Sequence, residues 1–226
     1  MCLDYGSKLN FFFDLDGTLV NSSPLHDAAF QQTLKEFDPS KLAQFLYQDI
    51  QGKSTSEALG LFLSDPQVLK QASLRKQQLY RQCIMKGDLQ FLPGALDLLK
   101  KLKKKGLRCF LCTGGSREST RLVLKKLTMQ DFFEGVFTSE DVLLGKPAPD
   151  LFLAPVLLHG LDPQTCLCIE DAASGVESAI AARLDVVQIT SWQVSLAEVV
   201  RYRSLHEFSD ALFKKGSSFA DSISMP

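Results

Sequence analysis

Residues 11–20 read Phe-Phe-Phe-Asp-Leu-Asp-Gly-Thr-Leu-Val. Three aromatics in a row, Phe11 to Phe13, predict a strand buried on both faces, as in a parallel sheet. The apolar run stops at Asp14, Asp16 follows two residues later, and Gly17 lets the chain turn without steric cost. Asp and Gly are ordinary turn residues, so a plain strand-ending turn would explain the composition. It would not explain two like charges at the end of a buried strand, which are unfavourable unless a cation or a reaction uses them. The carboxyl ends of strands are also where open α/β sheets bind ligands.

Working outward, the strand is expected over about Leu9 to Asp14. From about Ser23 to Asp88 the chain reads as helices: DAAFQQTLKEF, PSKLAQFLYQDI, TSEALGLFL and PQVLKQASLRKQQLYRQCIM. Apolar positions recur at three and four at Phe30, Leu34 and Phe37, and Leu69 and Leu74 are expected on the apolar side of the last helix. Strand–helix alternation then resumes at Phe91, with a helix over Ala95 to Lys105 and a strand over Leu107 to Cys112. That strand ends in Thr113-Gly114-Gly115-Ser116, a hydroxyl and a flexible loop before a helix starting near Arg117. Backbone amides at a helix start, with a hydroxyl beside them, suit an anion. The P-loop spacing is absent.

A third strand, Gly135 to Thr138, leads to Gly145-Lys146-Pro147-Ala148-Pro149-Asp150, where two prolines stiffen the approach to Lys146. Pro155 falls inside the next helix and is expected to kink it. A fourth strand, Thr165 to Ile169, ends in Glu170-Asp171, and a helix follows through Ala182. A fifth strand spans Asp185 to Ile189, and Glu198 to Phe213 adds a short strand and a helix. Lys214 to Pro226 reads as a loosely held tail. The two acidic pairs meet only if the first and fourth strands are neighbours, which the βα alternation makes plausible.

The 226 residues suffice for one large domain or a core with an insert; 45% are hydrophobic and 23% charged, as in ordinary globular proteins. A net charge of −1 provides no global field for nucleic acid or an anionic membrane. No apolar run is long enough to span a bilayer and no secretory signal is visible, so six cysteines point to a reducing, cytoplasmic setting. Cys109 and Cys112 are spaced C-x-x-C, but three residues apart in a strand they point to opposite faces, whereas Cys166 and Cys168 share one face. The lysines at 100, 101, 103, 104 and 105 precede Gly106, where cations complement a helix dipole, and read as a solvated face.

The ordered set Asp14-x-Asp16-Gly17-Thr18-Leu19, Thr113, Lys146 and Glu170-Asp171 resembles the motifs of the haloacid dehalogenase superfamily of phosphohydrolases. The chain looks most like the branch of β-phosphoglucomutase and phosphoglycolate phosphatase. The resemblance implies an α/β fold, a Rossmann-like parallel sheet with helices on both faces, formed by residues 1–22 and 89–226. Residues 23–88 are then an inserted all-helical cap.

By the same resemblance, Asp14 is the nucleophile that forms an aspartyl-phosphate, and Asp16 is the acid and base. Thr113 and Lys146 hold the phosphoryl group, aided by amides near Gly114 and Gly115. Mg²⁺ is the implied cofactor, held by Asp14, Asp171, the backbone carbonyl of Asp16 and Glu170 directly or through water. The second acid argues against dehalogenase or phosphonatase chemistry. His26 matches the mutase-like branch, but Gln51 and Thr55 stand where that branch has Lys and Arg. The expected function is therefore hydrolysis of a small phosphomonoester, a sugar phosphate or phosphoglycolate-like ester. The alternatives are a phosphomutase and, more remotely, a non-catalytic phospho-ligand binder. Lys53, in the loop Gln51 to Ser56, is the expected cap contact to substrate. The implied partner is a small phosphorylated metabolite, with no nucleic acid or membrane, and the chain is expected to be a monomer or weak dimer.

Overall fold

The computed structural model describes residues 3–190 and 199–214. The aromatic run forms β1 (Asn10–Phe13), with all four residues buried. It joins β2 (Arg108–Cys112), β3 (Gly135–Phe137), β4 (Cys166–Glu170), β5 (Asp185–Ile189) and β6 (Val200–Tyr202) in one parallel sheet, ordered β3-β2-β1-β4-β5-β6. The strand order reverses at β1 and β4, the crevice where such sheets place their ligands.

The period of two decides the layers. Phe11 and Phe13 share one face with Cys109, Leu111, Leu167 and Ile169, covered by α4 (Ala95–Lys104), α5 (Arg117–Lys126) and α8 (Leu205–Leu212). Phe12 faces the other way with Phe110, Cys112, Cys166 and Cys168, under α6 (Asp150–His159) and α7 (Ala173–Ala181). The two cysteines of the C-x-x-C thus diverge, and the second pair shares a face, as their spacing predicts. Each buried Phe or Leu contributes roughly 1.5–3 kcal/mol. On α4, Leu98, Leu99 and Leu102 are fully buried while Lys100, Lys101, Lys103 and Lys104 are exposed, so the lysine run is a solvated face. α6 continues through Pro155, whose side chain is buried.

Between β1 and α4 lie α1 (Ser23–Phe37), α2 (Thr55–Gly60) and α3 (Pro66–Lys86), packed around a separate apolar cluster of Phe30, Leu34, Phe45, Ile50 and Leu59. Three local expectations change. α1 starts four residues earlier than its apolar period suggests, because Pro24 fits a first helical turn, and this puts His26 on the helix. The segment PSKLAQFLYQDI is two short 3₁₀ turns, Pro39–Gln44 and Tyr47–Asp49, rather than a helix. Phe45 is drawn into an extended conformation and packs against Phe30 and Phe62, so tertiary contact overrides the local period. Leu74 is 55% exposed; the buried face of α3 is Ala72, Lys76, Leu79, Tyr80 and Ile84. The tail expected after Lys214 lies outside the described residues. Among the described residues no helix is long and apolar enough to cross a membrane.

Candidate active site

Register brings the first and last motifs together. Phe13 pairs with Leu111 on one side and Ile169 on the other, so the next residues, Asp14, Cys112 and Glu170, stand at one level at the carboxyl end of the sheet. The Asp14 amide donates to the Ile169 carbonyl at 3.0 Å. From the loop before α6, Lys146 Nζ donates to Asp14 Oδ1 at 2.7 Å, to the Cys112 carbonyl at 2.9 Å and to Glu170 Oε1. Asp171 Oδ1 accepts from Thr18 Oγ1 at 3.1 Å, and its carbonyl accepts from Gln188 Nε2 at 2.9 Å. Gly17 has φ +88°, and a Cβ there would overlap the Asp171 carboxylate. A Cβ at Gly175 would overlap the carboxylate of Glu170. Both glycines are thus required by close approach.

Carboxylate oxygens of Asp14, Glu170 and Asp171 lie within 4.8 Å of one another. Three acids face one ammonium in a buried place, and their proton affinities register it. Burial pushes Asp14 up to about 8, against the pull of Lys146 and with the push of Glu170. Burial and the Asp14 charge raise Asp171 to about 7, and burial also raises Glu170. Lys146 is raised, because Asp14 and Glu170 outweigh the burial that disfavours its charge. A hard divalent cation with oxygen ligands fits this donor set and its excess of negative charge.

Asp16 behaves differently. Burial alone would raise it, but hydrogen bonding from His26, with Tyr80 adding a donor, holds it down at about 2. Tyr80 Oη donates to Asp16 Oδ1 at 3.1 Å, and His26 Nε2 stands 3.5 Å from the same oxygen. His26 Nδ1 lies 2.7 Å from Lys76 Nζ. An ammonium can only donate, so Nδ1 accepts and the ring proton sits on Nε2, facing Asp16. Burial, then the charge of Lys76, lowers the His26 pKa. The His26 ring also stacks on Tyr80 at 3.8 Å between centroids.

Thr113 Oγ1 accepts from the Gly115 amide at 3.0 Å, and Ser116 caps α5. A methyl at Gly115 would lie 3.3 Å from Thr113 Oγ1 and 3.8 Å from Asp16 Oδ2, so this loop faces the second oxygen of Asp16. All ten residues expected from the sequence, Asp14, Asp16, His26, Lys53, Thr113, Gly114, Gly115, Lys146, Glu170 and Asp171, line one cavity of about 400 Å³. His26 reaches it with both ring nitrogens turned to protein groups. Lys53 is exposed at the rim, close enough to Glu57 to help hold that carboxyl down.

Thr18, Lys76 and Tyr80 carry no role in the sequence reading. Thr18 sits inside the first motif. For Lys76 the readable signal is a charge in phase with Ala72, Leu79 and Tyr80 on an amphipathic helix; it is 3% exposed.

The family model for haloacid dehalogenase-like hydrolases matches residues 11–189. Protein CbbY of Rhodobacter capsulatus is 33% identical over 189 residues, covering 77% of this chain and 82% of the relative. Hexitol phosphatase A of Escherichia coli is 32% identical over 183 residues, covering 80% and 82%. The crystal structure of CbbY from Rhodobacter sphaeroides in complex with phosphate superposes with a TM-score of 0.78 at 20% identity, covering 89% of this chain and 96% of that one. That likeness speaks to the fold.

Proposed function

Because the chain belongs to the haloacid dehalogenase-like hydrolase family, as a phosphoric monoester hydrolase, we propose that it is a Mg²⁺-dependent phosphatase acting on a small sugar or polyol phosphate. The observation that carries this reading is the pairing of Asp14 with Lys146 at 2.7 Å beside Glu170 and Asp171, with Asp16 on the same cavity. Residues 23–88 act as a cap over that cavity.

In the first half-reaction an Asp14 carboxylate oxygen attacks phosphorus, and the bond from phosphorus to the leaving oxygen breaks. Asp16 gives that oxygen its proton, so an alcohol departs and an aspartyl-phosphate remains. In the second half, Asp16 takes a proton from water, the water oxygen attacks phosphorus, and the bond to Asp14 breaks. Free phosphate leaves and Asp14 is again a carboxylate. Acid–base help of this kind is worth about 10²–10⁴-fold.

The donors from His26 and Tyr80 favour the ionised form of Asp16 that the water step needs; burial favours the protonated form that the leaving group needs. His26 thus orients Asp16 from behind. Lys146 and Thr113 hold the phosphoryl oxygens, and the amides of Gly114 and Gly115 add donors. Asp14, Asp171, Glu170 and the Asp16 carbonyl would hold Mg²⁺, which supplies charge neutralisation on the phosphoryl oxygens.

The test is release of inorganic phosphate from p-nitrophenyl phosphate and from sugar and polyol phosphates with added Mg²⁺. Release that EDTA abolishes and Mg²⁺ restores is the expected result. Rates unchanged by EDTA would overturn the metal dependence. Interconversion of sugar-phosphate isomers without phosphate release would favour the mutase.

A further inference from the structure

The face of α3 turned to the cavity carries Ser73, Lys76, Gln77 and Tyr80, the i, i+3, i+4 and i+7 positions of one helical stripe. Lys76 and Tyr80 are engaged by His26 and Asp16. The mechanism uses neither Ser73 nor Gln77. Ser73 Oγ is buried without a hydrogen-bond partner. It does not bond back to the carbonyl one turn earlier, as helical serines often do. A buried hydroxyl left unpaired is unfavourable, and a serine side chain turns among staggered positions without moving the backbone. Gln77, one turn on, offers an amide that both donates and accepts. Neutral groups of this kind match neutral hydroxyls.

We infer that Ser73 and Gln77 are specificity-determining residues. They hydrogen-bond hydroxyl groups of the leaving alcohol, so the site selects a polyhydroxylated ester over an alkyl one of equal length. The inference rests on the phosphatase reading above and adds which residues read the alcohol. A site that pairs with a substrate hydroxyl rejects the analogue lacking it, because its own polar groups are then left unpaired.

The experiment measures kcat/KM of wild type, Ser73→Ala and Gln77→Leu on linear polyol monophosphates from glycerol to hexitol phosphate. Each is set beside the alkyl phosphate of equal chain length, with p-nitrophenyl phosphate as the reference. Wild type is expected to prefer its best polyol ester over the alkyl partner by about tenfold or more. Each variant is expected to lower that ratio by roughly threefold to tenfold, the worth of one hydrogen bond. Turnover of p-nitrophenyl phosphate should be unchanged. Ser73→Ala should also melt at or above the wild-type temperature, since it removes an unpaired hydroxyl and alanine favours helix. A serine with a structural role would instead lower the melting temperature and all substrates alike. Equal losses on every ester, or a wild type with no preference for hydroxylated esters, would overturn the inference alone. Absence of turnover on every ester, p-nitrophenyl phosphate included, would overturn the phosphatase reading and the inference with it.

Discussion

On the core side of the cavity charge is dense and each acid has a donor: Lys146 binds Asp14 and Glu170, and the Thr18 hydroxyl binds Asp171. On the cap side the density of charge falls. His26, Lys76 and Tyr80 form a short buried chain onto Asp16, and beyond it Ser73 and Gln77 present neutral groups, with Lys53 at the rim. The core half rests on strand ends, held in register by neighbours on both sides. The cap half rests on two helices, α1 with His26 and α3 with the rest, and on one loop. The difference teaches a division of labour: chemistry needs charges fixed within a few tenths of an ångström, whereas recognition of an alcohol needs only hydrogen bonds.

Asp14→Asn is the change that breaks the core side most completely. An amide is a poor nucleophile and a poorer metal ligand, and Glu170, the acid at the same level, is tied to Lys146 and does not replace it. Turnover is expected to fall below detection while the fold persists, read by phosphate release and by a melting curve. An active Asp14→Asn enzyme would remove Asp14 from its role and leave the charged cluster without a reaction.

Asp16→Asn separates the two kinds of core acid. A loss of about 10²–10⁴-fold in turnover is expected, from both formation and breakdown of the phospho-enzyme. Mg²⁺ affinity should change little, since Asp16 is assigned to the cation through its backbone. Asp171→Asn should weaken it strongly. Titration of Mg²⁺ against the two variants checks the contrast, and equal losses of affinity would erase it.

The core half was legible because its signals are local. A buried aromatic run stopping at acids, a second acidic pair after an apolar strand, and a hydroxyl-glycine loop each sit within a few residues. The parallel register then brings them together, with Phe13 opposite Leu111 and Ile169. The cap half was less legible, because its signals depend on packing. Lys76 is buried against the rings of Phe30 and Tyr80, 4.3 Å and 5.1 Å from their centroids; its phase on the helix hints at an inward position but not at the groups it meets there. Phe45 abandoned a helical period for contacts with Phe30 and Phe62, residues well away in the chain. Tyr80 reads as an apolar core residue until Asp16, 64 positions earlier, is seen at its hydroxyl.

Lys53→Ala probes the rim. If Lys53 meets an anionic or polar leaving group, kcat/KM on the preferred ester should fall by about threefold to tenfold, the worth of one charge-assisted contact at an exposed site. p-Nitrophenyl phosphate should be spared. Uniform loss, or none, would leave Lys53 as a solvated loop residue balancing Glu57, and would sharpen the comparison by confining recognition to α3.

Glu36→Gln should have the smallest effect, and it tests whether the cap depends on its own surface charges. Arg75 Nε and Nη2 donate to the two carboxylate oxygens of Glu36 at 2.7 Å and 3.0 Å, tying α1 to α3. Hydrogen bonding from Arg75 lowers the Glu36 pKa from 4.5 to about 2. A carboxyl with a depressed folded-state pKa stabilises the fold above its unfolded value and loses that contribution as pH falls toward the folded one. The pair is exposed, so water and salt screen most of its energy. Wild type should therefore be slightly more resistant to urea than Glu36→Gln at neutral pH and low salt. The gap should close as pH falls from 4.5 toward 2, and also when salt is added. A gap that persists in acid and in high salt would mean that the pair acts through side-chain packing between α1 and α3. A gap as large as that from a buried core substitution would show that the cap, like the core, is held by charge.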